Sequence, residues 1–208
     1  MRSLLIVGSG GHSRPIIGTV KKLKMWNLIG VVDLNYKGVS EKILNTPVLG
    51  SLEILNDFKP ANTDVFLAVG NNKLRRSLFL TPKVNIFNTP NIVHPTAFID
   101  PSVEMGVGNF VGPFVNIGPM VKIGKSNIIN SYANLEHETQ VGSFCQFSPG
   151  SIICGRCLLG SEIFVGANAT IIEKQKIADN SIIGAGSVII KDILKRNQTI
   201  VGVPGKPN

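Results

Sequence analysis

From Val93 onward, every sixth residue of the chain is apolar for seventeen consecutive positions, through Val111, Ile117, Leu135, Phe147, Ile153 and Ile171 to Ile189, with no insertion to break the step. Neither the 3.6-residue period of a helix nor the two-residue alternation of a lone strand produces six. A short strand followed by a tight turn does. Three such units close a triangle, so one coil takes about eighteen residues and identical positions stack from coil to coil. The anchor fills the interior. Glycine often follows it (Gly106, Gly112, Gly118, Gly124, Gly142, Gly160, Gly166, Gly184), and is expected to permit the corner. Four places after the anchor stand small or β-branched residues such as Val115, Ala133, Cys145 and Ser151, sized to sit beside it. Residues 93–190 supply between five and six coils. A prism of this kind is quasi-one-dimensional and buries only its own interior.

The preceding 92 residues follow a different pattern. Buried-strand runs are expected at Ser3–Val7, Leu28–Val32, around Val48–Gly50, at Asp64–Val69 and at Val84–Phe87. Helices are expected over Arg14–Met25, over Ser51–Phe58 with Ser51 as cap, and over Lys73–Leu80. Strands alternating with helices imply an α/β, Rossmann-like unit with a parallel, doubly wound sheet. Two domains follow, residues 1–92 and 93–208. Ligands of such a sheet bind at the carboxyl ends of its strands. Gly8-Ser9-Gly10-Gly11-His12, Asp33 and Gly70-Asn71-Asn72 all fall there. The glycine loop reads either as a tight strand-to-helix turn or as a phosphate cradle whose free helix-terminal amides face the ligand. Asp33 and Gly70–Asn72 on the same edge favour the cradle.

Charge agrees with that placement. The chain carries a formal +8, of which +7 lies in residues 1–92 and +1 in residues 93–208. A basic excess calls for an acidic partner. Here it surrounds the glycine loop, with Arg14, Lys73, Arg75 and Arg76 near it in sequence. Nucleic acid is excluded as that partner by the lack of a motif, a basic run or interleaved aromatics. No apolar run reaches the roughly 18–20 residues of a membrane span, and the apolar start ends at Gly8, too short for a secretory h-region. Cys145, Cys154 and Cys157 are odd in number, and no second pair or nearby histidine completes a zinc set around the last two. They read as small core fillers in a reducing compartment, so a cytoplasmic location and no metal are expected.

Of three histidines, His12 lies in the glycine loop and His94, before Pro95, reads as structural. His137 stands two places after anchor Leu135, which directs its side chain outward, and carboxylates flank it in Glu136-His137-Glu138. A neighbouring carboxylate fixes the tautomer of an imidazole and raises its basicity. His137 is therefore the candidate general base.

The ordered set of an α/β cap, G-x-G-G-H at its first turn, V-G-N-N at its third strand, a hexad prism with H-E-x-x-V-G and S-P-G-S, and the closing V-G-V-P-G-K-P resembles the bacterial sugar O/N-acyltransferases. These are the sialic acid O-acetyltransferase and UDP-4-amino-sugar N-acetyltransferase type of the hexapeptide-repeat superfamily. The resemblance covers nearly the whole chain. It implies a left-handed parallel β-helix, a homotrimer with active sites between subunits, and acetyl-CoA as co-substrate. It implies direct transfer in a ternary complex to a nucleotide-linked amino sugar in surface-polysaccharide or glycan biosynthesis, with O-acetylation of a sugar such as sialic acid as the alternative. A non-catalytic scaffold and a zinc carbonic anhydrase, which needs three prism histidines, are the disfavoured readings. By the same resemblance His137 is the base and Glu138 its partner. Gly10, Gly11, His12, Asp33, Gly70, Asn71 and Asn130 hold the sugar substrate, and Gln146, Gly155, Ala167 and Ala185 hold acetyl-CoA. The family often has a second histidine nine residues after the base, where this chain has Gln146.

Overall fold

Apolar runs flanked by an amphipathic helix on one side and by shorter helical turns on the other build the first of two units into which contacts divide the chain, Met1–Pro95 and Thr96–Asn208. The computed structural model describes residues 1–38 and 41–208. In the first unit β1 (Ser3–Val7), α1 (Ser13–Leu23), β2 (Asn27–Val32), β3 (Lys42–Ile43), β4 (Thr46–Gly50), β5 (Thr63–Leu67), α2 (Asn72–Leu80) and α3 (Pro82–Asn85) follow in order. The sheet order is β3-β4-β2-β1-β5, parallel except for the β3/β4 hairpin. Because side chains alternate along a strand, Leu5, Val7, Val65 and Leu67 face one core with Leu55, Leu78, Val84 and Phe87. Leu4, Ile6 and Phe66, equally buried, face the other side. At the amino-terminal edge Asp64, 2% exposed, accepts hydrogen bonds from Arg2 Nε (2.8 Å), Trp26 Nε1 (2.8 Å) and Asn88 Nδ2 (3.1 Å).

Three local expectations change. Val84–Phe87 is not a strand. Pro82 starts α3 after Thr81, and Val84 and Phe87 enter the core as an i, i+3 pair. The strand-like contact comes one residue later, where Val65 N–H donates to the Asn88 carbonyl at 2.9 Å. Ser51–Phe58 holds a 3₁₀ segment, Leu52–Asp57, and Ser51 caps it by position without a side-chain bond. The β3/β4 hairpin was not expected. It turns through Leu44 and Asn45 at φ 47° and 62°, and a left-handed leucine leaves little sequence signal.

The second unit is a three-faced prism of two-residue strands. Face 1 stacks Phe98–Ile99, Asn116–Ile117, Asn134–Leu135, Ile152–Ile153, Thr170–Ile171 and Val188–Ile189. Face 2 runs from Glu104–Met105 through Gln140–Val141 to Lys176–Ile177. Face 3 includes Phe110–Val111, Gln146–Phe147 and Ile182–Ile183, and ends with Thr199–Val201 and the antiparallel Lys206–Pro207. Pairing is parallel with partners eighteen residues apart, as in Leu135 with Ile153. From Val111 to Ile189 the anchors are buried.

The corners depart from the expected design. The residue after each anchor does not take the left-handed conformation. That falls two places later, to Phe114, Met120, Ser126, Tyr132, Glu138, Phe144, Arg156, Glu162, Asn168, Lys174 and Asn180, at φ between 52° and 64°. A left-handed conformation is unfavourable for residues with a Cβ. Offsetting this, corner N–H groups donate to the preceding coil, such as Glu138 to Pro119 and Arg156 to His137, both at 2.9 Å. Glycine after the anchor serves close approach instead. A Cβ at Gly142 would lie 2.6 Å from the Gly160 carbonyl oxygen, and one at Gly166 2.4 Å from the Ala185 nitrogen. Inside the corner between faces 2 and 3, buried Asn109 and Asn127 replace the expected small residues. Asn127 Nδ2 donates to Asn109 Oδ1 at 3.0 Å, and Asn127 Oδ1 accepts from Cys145 N–H at 2.7 Å.

Candidate active site

His137 and Glu138 occupy the corner between faces 1 and 2, just after the Asn134–Leu135 strand. Glu138 is the left-handed corner residue, φ 60°, which turns its carboxylate back beside the imidazole. His137 Nδ1 and Glu138 Oε2 are 3.0 Å apart. His137 and Arg156 hold the Glu138 carboxyl below its ordinary pKa. An ionised carboxylate only accepts, so Nδ1 carries a proton, and in the neutral imidazole the lone pair lies on Nε2. The histidine side chain is 47% exposed.

Gly155 lies in the same column, one coil on, and is what gives the ring its place. A Cβ at 155 would stand 2.5 Å from His137 Nε2 and 2.6 Å from Cε1. Glu136, before the histidine, accepts from Asn134 Nδ2 (2.7 Å), and Asn134 Oδ1 accepts from Asn116 Nδ2 (2.7 Å). This polar ladder along the outside of face 1 had no sequence signal beyond the repeat itself. Asn116 joins Asn134 and Glu136 only once the eighteen-residue stacking is counted.

The cysteines beside this corner are unbridged. Cys157 Sγ donates to the Ile172 carbonyl at 3.1 Å, and burial pushes its thiol up to about 11. Burial, then Glu136 and Glu173, also raise Cys154. Neither is a thiolate near neutral pH, and a thiol is a poor nucleophile. Among the described residues no three His, Cys, Asp or Glu side chains gather to hold a metal ion, and no helix is long and apolar enough to cross a membrane.

The residues expected to bind acetyl-CoA are distributed around the prism. Gly155 shares the His137 corner. Ala167 and Ala185 stack at the corner between faces 3 and 1, after Phe164–Val165 and Ile182–Ile183. The carbonyls of Gly155 and Ala167 accept from Lys174 and Gly186 N–H at 3.0 and 2.8 Å. Gln146 points outward from face 3, in register between Ile128 and Phe164. Face 3 is opposite the His137 corner, so one prism does not bring Gln146 and His137 together. Asn130 lies at the corner between faces 3 and 1, with its N–H on the Phe147 carbonyl at 2.9 Å, and face 1 separates it from His137.

In the α/β unit, Gly8–His12, Asp33–Asn35 and Ala68–Gly70 line one open cavity of about 350 Å³ at the carboxyl ends of β1, β2 and β5. Gly10, Gly11, His12, Asp33 and Gly70 therefore meet. Asn71 stands beside them as the cap of α2, accepting from Leu74 N–H at 2.9 Å. Gly8 is required by its φ of 113° and by Ala68, whose carbonyl oxygen a Cβ would approach to 2.8 Å; at Gly10 and Gly11 a Cβ would meet nothing within 4 Å. The cradle differs in one respect from expectation. Ser13 and Arg14 N–H already donate to the Gly10 and Gly11 carbonyls at 3.0 and 3.4 Å, so the first amides of α1 are not free. Arg14 Nη1 folds back to the Gly10 carbonyl at 3.0 Å.

Two basic groups also behave differently from a surface field. Arg75 is 1% exposed. Its guanidinium donates to the Val69 (2.9 Å) and Gly70 (3.2 Å) carbonyls and to Asn72 Oδ1 (2.8 Å), bracing the V-G-N-N edge from beneath. Burial, and then the Arg75 charge, lower the His12 pKa to about 4, so His12 is a neutral imidazole at pH 7.

A prism of stacked six-residue units is the architecture of the hexapeptide-repeat superfamily, and comparison narrows the class. Residues 3–81 match the family model described as the PglD N-terminal domain. The whole chain is similar to PerB from Caulobacter crescentus, solved in complex with CoA and GDP-perosamine: 30% identity, TM-score 0.92, covering 99% of this chain and 97% of that one. It is similar to the acetyltransferase domain of PglB from Neisseria gonorrhoeae FA1090, solved with acetyl coenzyme A: 28% identity, TM-score 0.93, covering 100% and 99%. WeeI from Acinetobacter baumannii AYE, at 22% identity and TM-score 0.86 over 100% of both chains, shares the fold. Among curated proteins, the bifunctional protein GlmU of Wolbachia sp. subsp. Brugia malayi (strain TRS) is 36% identical over 69 residues, 30% of this chain and 17% of that protein. The chain thus matches about a sixth of that curated relative's length. The chain belongs to the bacterial sugar O/N-acyltransferase family of the hexapeptide-repeat superfamily, with an α/β cap followed by a left-handed parallel β-helix.

Proposed function

We propose that this acyltransferase moves the acetyl group of acetyl-CoA to the amino group of a nucleotide-linked sugar. The observation that carries the reading is the His137–Glu138 pair over Gly155, a base with a fixed tautomer on an accessible corner. The sugar amine attacks the thioester carbonyl carbon while His137 Nε2 takes an amine proton. Glu138 stabilises the imidazolium that forms. The tetrahedral oxyanion collapses, the carbon–sulfur bond breaks, and the imidazolium proton goes to the departing sulfur. The products are the N-acetyl sugar and CoA thiol, with no acyl-enzyme.

The cavity at Gly8–His12, Asp33 and Gly70 takes the nucleotide. The amides of Ser9 to Gly11, ahead of the bonded start of α1, supply donors for phosphate, Arg14 joins them on leaving the Gly10 carbonyl, and neutral His12 supplies a hydrogen-bonding group without charge. The pantetheine arm runs along amides of the Gly155 and Ala167–Ala185 corners. Since Gln146 is on the face opposite His137, its amide reaches the thioester oxygen of a neighbouring copy's site. In this reading the working enzyme is the homotrimer with clefts between prisms that the family resemblance implies. The perosamine enzyme and the PglB domain, with their bound GDP-perosamine, CoA and acetyl coenzyme A, support the substrate class.

The test is thiol release from acetyl-CoA with a panel of UDP- and GDP-amino sugars and with sialic acid. Turnover is expected with an amino sugar nucleotide. His137→Ala is expected to lower kcat at least about 100-fold, with Tm and oligomeric state unchanged. Undiminished turnover in that variant would refute the base assignment, and acetylation of sialic acid alone would refute the acceptor class.

A further inference from the structure

One coil beyond the histidine, a cation reaches back into the site. Arg156 is the corner residue that stacks on Glu138, at φ 62° against 60°. Its Nε donates to Glu138 Oε2 at 2.9 Å, the same oxygen that accepts from His137 Nδ1. Its main-chain N–H donates to the His137 carbonyl at 2.9 Å. Arg156 therefore holds both members of the pair, one through its backbone and the other through its side chain.

This ion pair makes little sense as a stabilising device. The two side chains are 53% and 40% exposed, and pairs of that kind contribute little. Its geometry matters more. A carboxylate at an exposed corner has several staggered rotamers, and only those that bring Oε2 to Nδ1 orient the imidazole. Of the other charges nearby, Glu136 accepts from Asn134, and Lys174, the next corner residue in the column, pairs with Glu173 at 3.4 Å.

We propose that Arg156 is a positioning residue for acyl transfer: it fixes the Glu138 carboxylate in the rotamer that receives His137 Nδ1–H, and so holds Nε2 toward the attacking amine. This rests on His137 as the base. The contact uses a single guanidinium nitrogen rather than the bidentate fork, so a lysine ammonium can replace it.

The experiment is a double-mutant cycle with full steady-state kinetics on the intact enzyme. Arg156→Ala is expected to lower kcat about tenfold, with KM for acetyl-CoA and for the acceptor within about twofold and Tm unchanged. Arg156→Lys is expected to recover most of the loss. In a Glu138→Gln background, Arg156→Ala is expected to cost less than about twofold, since its target is gone. The proposal is overturned if the Arg156→Ala loss is as large in that background. It is also overturned if KM rises at constant kcat, the signature of a direct ligand contact, or if Arg156→Ala has full activity. Loss of the base assignment would be seen separately, as full turnover by His137→Ala.

Discussion

At the scale of single residues, the site depends on what is missing as much as on what is present. The imidazole of His137 stands where a side chain at 155 would be. Gly155→Ala is accordingly expected to displace the ring and lower kcat by about 10- to 100-fold. Gly155 has no positive φ, so the thermal midpoint should hold within a few degrees. Kinetics paired with a melting curve check this, and a large loss of Tm with normal specific activity of the folded fraction would contradict it. Glu138 and His137 could be found from sequence because a histidine flanked by two carboxylates stands two places after an anchor. Arg156 could be found only by adding eighteen to 138, which requires knowing the coil length first. The burial of Arg75 has no sequence signal, because it depends on carbonyls five and six residues back that the helix start turns toward it.

At the scale of elements, the glycine loop and the α2 entry form one electrically coupled edge. His12 is held neutral, with a folded pKa of about 4 against 6.5. A histidine whose folded pKa is depressed binds protons better when unfolded. Stability is then undiminished above pH 6.5 and falls as pH drops toward 4. The loss should approach about 3 kcal/mol, with about 2 kcal/mol of it by pH 5. Urea unfolding of the α/β unit at pH 7 and pH 5, in the natural protein and in His12→Asn, measures it. A pH dependence unchanged by the substitution would show that His12 is not the source. The β-strand runs and α1 were legible because buried alternation and amphipathic spacing are local properties. The end of this unit was not. Val84 and Phe87, three apart, satisfy both a short strand and one helical turn, and Pro82 settles the matter by starting α3. The glycines after the anchors were seen but assigned the wrong task. Sequence shows that a small residue is needed there, whereas the conformational angle that separates a corner from a close approach is invisible in it.

At the scale of the whole molecule, the proposed site, with its residues divided among corners, calls for more than one chain. His137 and Gly155 stand at one edge of the prism and Gln146 on the opposite face. Gln146→Ala is expected to reduce kcat about tenfold or more through loss of an oxyanion donor. Mixing it with His137→Ala under conditions of subunit exchange should restore activity, because some clefts then receive an intact histidine from one copy and an intact glutamine from another. Mixed samples no more active than the average of the two parents would place both residues in one chain's site. The repeat was the most legible feature of all, since seventeen unbroken steps leave one architecture. It cannot say which corners share a ligand, for that is a property of assembly.

The parallel pairing of residues eighteen apart also limits how such an enzyme can change length. Removing one full coil, such as residues 158–175, shortens the tower but leaves His137 above Gly155 and Arg156. Removing a single hexad, such as residues 140–145, keeps every anchor apolar and every corner legal, yet turns all that follows by a third of a revolution. Ser161 and Glu162 would then arrive beneath His137. The repeat pattern would survive that deletion while the proposed chemistry would not, so loss and gain of sequence in this half of the chain is expected to be quantised by the corner assigned to the base rather than by the fold.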